Sequence, residues 1–265
     1  MASPTSHATL DYSISERVAH ATLCLPERQN SLTEQTLDDM NDVVARVQQD
    51  NDVRTLVLRG QGDVFSIGVD NEVLATLFHD LEYYEHVLTR VAAIGLSLEA
   101  LDVPVIAAVN GTATEVGFEL ALACDFIVIA DEAMIGDGRG THGSVPGGGA
   151  TVRLPRAVGV QHARDLLYSA RLVSGTEAAA LGLAWRSVPA AELDASVAAL
   201  AATFTDKSRH ALATIKRQIN GGLGLDTPTA IEHERSEIIK HISEPHSDSI
   251  EGFHAQQEGR PPSWA

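Results

Sequence analysis

Apolar and polar residues alternate along the chain with two different periods, and each period predicts one kind of element. Short aliphatic and β-branched runs predict strands at residues 9–15, 18–25, 55–59, 105–109, 126–130 and 184–188. Apolar residues at helical spacing predict helices at residues 33–49, 83–101, 116–124, 153–158, 163–170, 176–181 and 191–204. From residue 207 onward the pattern is helical almost throughout, with an interruption at residues 221–224. The chain therefore divides into an α/β part and a helical part.

The stretch 103–125 predicts a strand, a tight turn and a helix entry in direct succession. Residues 105–109 are all apolar, Asn110-Gly111 is a turn dipeptide, and the helical pattern begins near Val116. The unpaired N–H groups of a first helical turn favour negative charge, and Glu119 falls close to that end. A carboxylate beside an anion-binding helix end is the minimum needed for proton transfer next to a carbonyl.

Two loops are rich in glycine. Residues 60–69 contain three glycines and residues 136–149 contain seven. Glycine costs backbone entropy, so such loops are best explained where the chain turns sharply or passes close to a ligand. Both loops are therefore candidates for lining a site.

Four stretches together resemble one known family. They read AAVNGTATEVGFELALACDFIVIA at 107–130, FSIGVD at 65–70, SVPGGGATVRLPRAVG at 144–159 and LPERQNSLTEQTLDDM at 25–40. The chain resembles the crotonase (enoyl-CoA hydratase/isomerase) superfamily, whose patterns occur here in the expected order over nearly the whole length. Periodicity alone fits either a doubly wound sheet or a wound spiral. The resemblance implies an α/β fold with a crotonase-like spiral of ββα units over residues 1–206. It also implies a C-terminal helical trimerisation region over residues 207–265.

The resemblance assigns roles to individual positions. The amide N–H groups of Val69 and Val116 correspond to the pair that polarises a thioester carbonyl, and Glu119 corresponds to an acid/base carboxylate. The resemblance implies a coenzyme A thioester as substrate and no prosthetic group or metal. The expected contacts to its nucleotide arm come from Arg28 and from three residues of the second motif: Ile67, Gly68 and Asp70. Lys216 and Arg217 lie in a segment that resembles the family's A-x-K-x-x-x-N near Asn220. They are candidates for added charge beside that arm, but a solvated helix face is the favoured interpretation.

The sequence departs from the family pattern at two places. The position of the second hydratase glutamate holds Arg139, and a guanidinium cannot take a proton at neutral pH. The usual G-G-G triplet is Glu115-Val116-Gly117, whose side chains narrow the slot for a thioester. Asp137 and His142, which flank Arg139, are candidates for the missing chemistry, although a histidine in a glycine-rich loop is more often solvated.

Three functions are compatible with these motifs. The first, which we favour, is a lyase or isomerase acting on an acyl-CoA thioester in fatty acid metabolism, through an enolate but not by standard two-glutamate hydration. The second is hydrolysis of a carbon–carbon bond in a β-diketone without CoA. A D-G-x-H-like loop supports it, whereas Gly148 and Leu37 replace an aspartate and a histidine of that branch. The third is a non-catalytic protein that binds CoA or only assembles.

Composition limits the partners and the compartment. The 265 residues include 19 basic and 36 acidic side chains, for a formal net charge of −17. Such a charge argues against nucleic acid or an anionic membrane as partner. Two cysteines, both within apolar runs, suggest buried thiols in a reducing compartment. We find no apolar run of membrane-spanning length or signal-peptide pattern, so we expect a cytoplasmic protein. The family resemblance implies a homotrimer or hexamer, the hexamer being a dimer of trimers.

Overall fold

The computed structural model describes residues 5–6, 8–77, 79–243 and 247–264, which form eleven strands and ten α-helices. The strands are β1 (Thr5–Ser6), β2 (Leu10–Ser15), β3 (Val18–Leu23), β4 (Thr55–Gly60), β5 (Val64–Ser66), β6 (Val105–Val109), β7 (Thr112–Thr114), β8 (Phe126–Ala130), β9 (Met134–Gly136), β10 (Val173–Ser174) and β11 (Arg186–Val188). The helices are α1 (Glu34–Gln49), α2 (Asn71–Leu77), α3 (Leu81–Ala100), α4 (Glu115–Leu122), α5 (Ala150–Ser169), α6 (Gly175–Ala180), α7 (Leu193–Thr205), α8 (Arg209–Gly222), α9 (Thr227–Ser243) and α10 (Asp248–Glu258).

Consecutive strands are shared between two sheets, and this produces the spiral. The large sheet has the order β1-β2-β3-β4-β6-β8-β11, and the small sheet has the order β10-β9-β7-β5. Each of β4, β6 and β8 lies in the large sheet, and the strand that follows it lies in the small sheet. These neighbours pair in parallel within each sheet, and helices follow each strand pair. The expected ββα spiral is therefore confirmed.

The large sheet is covered on both faces. One face contributes to a core that includes Phe65 and Phe118, and the other packs Val57, Ile106 and Val128 against helix α7. Because both faces of the sheet are covered, all five residues of β6 are buried. This explains why the sequence of β6 is continuously apolar rather than alternating.

Several elements differ from the sequence prediction, and two regions show how. The predicted loop 60–69 contains strand β5, and helix α2 follows directly after it. The two helices predicted at 153–158 and 163–170 form one span, α5, which is broken at Gly159 with φ 78° and ψ 160°. This left-handed φ is readily adopted by glycine, so the predicted gap corresponds to a sharp kink.

Helix α8 is tied to the core by a buried lysine, which corrects the expectation of a solvated face. Lys216 is 8% exposed, and its Nζ donates to the carbonyl oxygens of Leu98 (2.9 Å) and Val103 (3.2 Å). The same Nζ lies 2.7 Å from Oδ2 of Asp125, at the end of the central motif. The neighbouring Arg217 is exposed, in agreement with the expectation. No helix within the described residues has the length and apolar character needed to cross a membrane.

Candidate active site

The entry to helix α4 is pressed against the loop that follows β5. A Cβ atom on Gly117 would lie 2.2 Å from the carbonyl oxygen of Ser66, and a Cβ atom on Gly68 would lie 3.2 Å from the amide nitrogen of Val116. Only glycine permits these two approaches without displacement of the backbone. The contact brings together the two segments that carry the amide groups of Val69 and Val116.

These two amide groups are free to act as donors. The amide of Leu32 donates to the Gly68 carbonyl, and the amide of Asp70 donates to the Leu32 carbonyl. The N–H of Val69, between them, therefore points away from residue 32. Val116 lies in the first turn of α4, where N–H groups have no intrahelical acceptor. Neither N–H has an acceptor within the described part of the chain, so both can donate to a ligand oxygen.

Glu119 is fixed next to this entry by contacts from the second glycine-rich loop. It is 2% exposed, and its Oε1 accepts hydrogen bonds from the amides of Gly148 (2.8 Å) and Ala150 (3.0 Å). Its Oε2 lies 2.7 Å from Nη2 of Arg139, an ion-pair distance, but without the alignment of a hydrogen bond. These partners are donors and a cation, so they match a charged carboxylate, and Oε2 keeps acceptor capacity for a reacting group.

Arg139 points inward and is neutralised by two carboxylates. Its Nη2 lies 2.7 Å from Oδ2 of Asp137 as well as 2.7 Å from Glu119, and its Nε donates to both Asp137 oxygens at 3.1 Å. Burial acts to lower the pKa of Arg139, but the two anions outweigh burial and raise this pKa. The guanidinium therefore serves as a fixed cation inside the site and has no spare charge for an anionic substrate.

His142 and Glu115 lie at the edge of this charged group. His142 is exposed at the end of a short 3-10 helix, and its charge is close enough to act on the pKa of Glu115. Glu115 is half-buried at the start of α4, and its amide donates to the Asp137 carbonyl at 3.1 Å. The sequence prediction did not count Glu115 among the site residues. The signal that could have identified it is its spacing of four residues from Glu119 on one helix.

Comparison with known proteins decides the family. The model of the enoyl-CoA hydratase/isomerase family matches residues 13–265. The chain belongs to the enoyl-CoA hydratase/isomerase family. It is 35% identical to the mitochondrial methylglutaconyl-CoA hydratase of Rattus norvegicus over 240 residues, which are 89% of this chain and 75% of that protein.

Crystal structures of enoyl-CoA hydratases from Bacillus anthracis and Mycobacterium smegmatis match with TM-scores of 0.90 and 0.89. Both are 29% identical to this chain, and each alignment covers 97% of this chain and 98% of the other. The membership in the crotonase superfamily that the motifs indicated is therefore confirmed, together with the fold.

The four residues expected to contact the nucleotide arm of a coenzyme A thioester lie close together in the structure. Ile67 and Gly68 lead into Asp70, whose Oδ2 accepts a hydrogen bond from Ser31 Oγ at 2.7 Å. Burial opposes ionisation of Asp70, but hydrogen bonds from Ser31 and the following helix, with the charge of Arg28, hold its pKa below the ordinary value. The Asp70 carboxylate is thus satisfied by the protein and stabilises the loop.

The Arg28 side chain is exposed, and its guanidinium is shared between two carboxylates. Its Nη1 lies 3.3 Å from Asp70, and its Nη2 lies 3.1 Å from Glu72. An exposed pair of this kind is weak and easily rearranged. Arg28 therefore remains a candidate for contact with a phosphate, at the cost of its contact with Glu72.

Proposed function

We propose that this protein acts on an acyl-CoA thioester through an enolate. The amide N–H groups of Val69 and Val116 hold the thioester oxygen, and Glu119 transfers a proton. The observation that carries the proposal is Glu119 itself, a buried carboxylate with one oxygen fixed by two amides and the other held only by its ion pair with Arg139. A base with this geometry beside two free amide donors is suited to moving a proton next to a carbonyl.

Relatives named as hydratases favour a reaction at the α and β carbons of the thioester, a lyase or isomerase reaction. The rat relative is named for methylglutaconyl-CoA, whose acyl group carries a carboxylate. For this chain the neutralised Arg139 gives no support to an anionic acyl group, because both of its carboxylate partners are already in place. We therefore expect an uncharged acyl chain.

The space at Gly148 favours the thioester over a β-diketone. A Cβ atom at this position would lie 2.7 Å from Oε2 of Glu119 and 2.8 Å from Val91 Cγ1. The aspartate that marks the diketone-hydrolysing branch would therefore not fit beside Glu119. His142, the other residue on which that alternative depends, is exposed.

Assembly into trimers or hexamers is also proposed. Large apolar side chains on α8, α9 and their connection are 38–64% exposed: Ile215, Ile219, Leu223, Leu225, Ile231, Ile238, Ile239 and Ile242. A row of this kind on a helical region favours burial against another copy of the chain. A mass in solution of three or six chains would support this proposal, and a stable monomer would contradict it.

The test of the proposed reaction combines binding with a single substitution. Calorimetry should detect binding of but-2-enoyl-CoA, and Glu119→Gln should retain binding while turnover falls by about 10²–10⁴-fold, the usual contribution of an acid/base group. Glu132→Gln, which removes an exposed carboxylate elsewhere on the surface, is the matched control and should keep wild-type activity. Absence of thioester binding, or full activity of Glu119→Gln, would overturn the proposal.

A further inference from the structure

We propose that Glu115 is the second proton-transfer group of this site and takes the role for which position 139 has no carboxylate. The inference rests on the proposed function and deepens it, since two proton carriers make reversible addition of water to an enoyl thioester possible. It assigns the proton on the α carbon to Glu115 and the proton of water to Glu119.

Glu115 lies next to the reacting position. It is the first residue of α4, directly before the Val116 donor, and it is close enough to Glu119 for that charge to act on its pKa. A Cβ atom on Gly68 would lie 2.9 Å from Glu115 Oε2, so the carboxyl group lies against the segment that leads into Val69. Glu115 therefore borders both proposed amide donors.

The carboxyl group of Glu115 is not used by the fold. Within the described part of the chain it accepts no hydrogen bond and forms no ion pair, whereas Glu119, Asp137 and Asp70 are all paired. Its backbone has φ 50°, a left-handed conformation that is unfavourable for a residue with a Cβ atom. An unpaired, half-buried acid kept at a strained position is the pattern expected of a functional group.

The two glutamates have different surroundings. Burial is the main effect on Glu115 and raises its pKa; Arg139 and His142 oppose this rise, while Asp137 and Glu119 add to it. Glu119 is surrounded by donors and by the Arg139 guanidinium. A carboxyl group whose pKa is raised by burial, beside one that accepts from two amides and pairs with a cation, is suited to be the acid and the base of one site.

The proposed step balances without any further reactant. Water adds its oxygen to the β carbon and gives a proton to the Glu119 carboxylate, while the double-bond electron pair moves to the thioester oxygen as an enolate. The enolate then collapses and its α carbon takes the proton of Glu115. Because Glu115 is only half-buried, solvent can return a proton to it as Glu119 releases one.

The experiment separates the two protons. Hydration of but-2-enoyl-CoA is followed by loss of its conjugated absorbance, and exchange of the α protons of butyryl-CoA in D₂O is followed by NMR. Hydration should fall at least about 100-fold in both Glu115→Gln and Glu119→Gln, as for loss of an acid/base group. Exchange should fall to a similar extent in Glu115→Gln and persist in Glu119→Gln. The surface variant Glu132→Gln should show wild-type rates in both assays.

A second variant, Glu115→Gly, tests whether misfolding explains a loss of activity in Glu115→Gln. Glycine readily adopts the left-handed φ, and both amide donors are retained. It should fold and bind butyryl-CoA, yet lose hydration and exchange, and Glu115→Asp should restore part of both. Exchange that persists in Glu115→Gln, exchange lost equally in both glutamine variants, or a wild type that hydrates without exchanging would overturn the role of Glu115. A wild type that binds neither thioester would overturn the proposed function instead.

Discussion

Replacing Arg139 with methionine would leave two buried carboxylates without their cation. The Arg139, Glu119 and Asp137 side chains are 10%, 1% and 4% exposed, and both ion-pair distances are 2.7 Å. Removal of one partner from a buried pair costs about 3–5 kcal/mol of unfolding free energy, because the remaining charge is uncompensated. We expect a loss in this range at neutral pH.

The chain provides a matched control at its surface. Arg171 also bridges two carboxylates at similar distances, 2.7 Å to Asp165 and 2.8 Å to Glu177, but these three side chains are 38–49% exposed. An exposed pair contributes about 0–1 kcal/mol, so Arg171→Met should cost less than Arg139→Met by roughly 2 kcal/mol or more. The difference between the two variants isolates the effect of burial.

Urea unfolding at a single protein concentration would measure the two losses of unfolding free energy. The comparison requires that this free energy depends equally steeply on urea concentration in both variants. Adding Asp137→Asn to Arg139→Met should recover part of the loss, because one of the two uncompensated charges disappears. If Arg139→Met loses no more unfolding free energy than Arg171→Met, the argument that burial makes the Arg139 ion pairs costly to break is refuted.

Three further predictions concern charges elsewhere. Asp70→Asn should cost about 1–2 kcal/mol at pH 7. Because the folded pKa of Asp70 is lowered, this stabilisation should be present above about pH 4 and disappear as pH falls further, a trend that urea unfolding across pH would check. Lys216→Met should cost about 1–3 kcal/mol in the same assay by removing the buried donor of the Leu98 and Val103 carbonyls and the ion-pair partner of Asp125, and an unchanged midpoint would contradict it. Glu115→Gln should be more stable than wild type at pH 8 but not at pH 4, because the raised pKa means that ionisation of Glu115 opposes folding at high pH; equal stability at both values would count against this.

The sequence predicted the long elements of the fold because their periodicity is strong. Strands β2, β4 and β8 were found within one or two residues of their expected limits. Strand β5 has only three residues, too few to show alternation, and it was hidden in a glycine-rich loop. The spiral connection of the two sheets came from the family motifs, since local periodicity carries no information about which strands pair.

Side-chain direction was the least predictable part. Lys216 occupies a polar position of an amphipathic helix, yet its amine reaches carbonyl oxygens more than 100 residues earlier in the chain. Arg139 was identified from the sequence as a departure from the family pattern. Its ion pairs with Glu119 and Asp137 could not be predicted, because they depend on how the loop that carries Arg139 packs on α4. Glu119 was expected within the first turn of its helix, but it is the fifth residue of α4, and the amides of Gly148 and Ala150 that fix it come from a distant loop.

The two departures from the family pattern can be understood together through charge. Glu115 and Asp137 both lie close to Glu119, so a fourth carboxylate at position 139 would concentrate like charge in a buried space. With an arginine there, Glu119 and Asp137 both have a cationic partner, and Glu115 is left as the carboxyl group with the raised pKa. The arginine acts to lower the pKa of Glu115, but burial outweighs it, so the carboxyl group four residues from Glu119 keeps a raised pKa beside a paired Glu119.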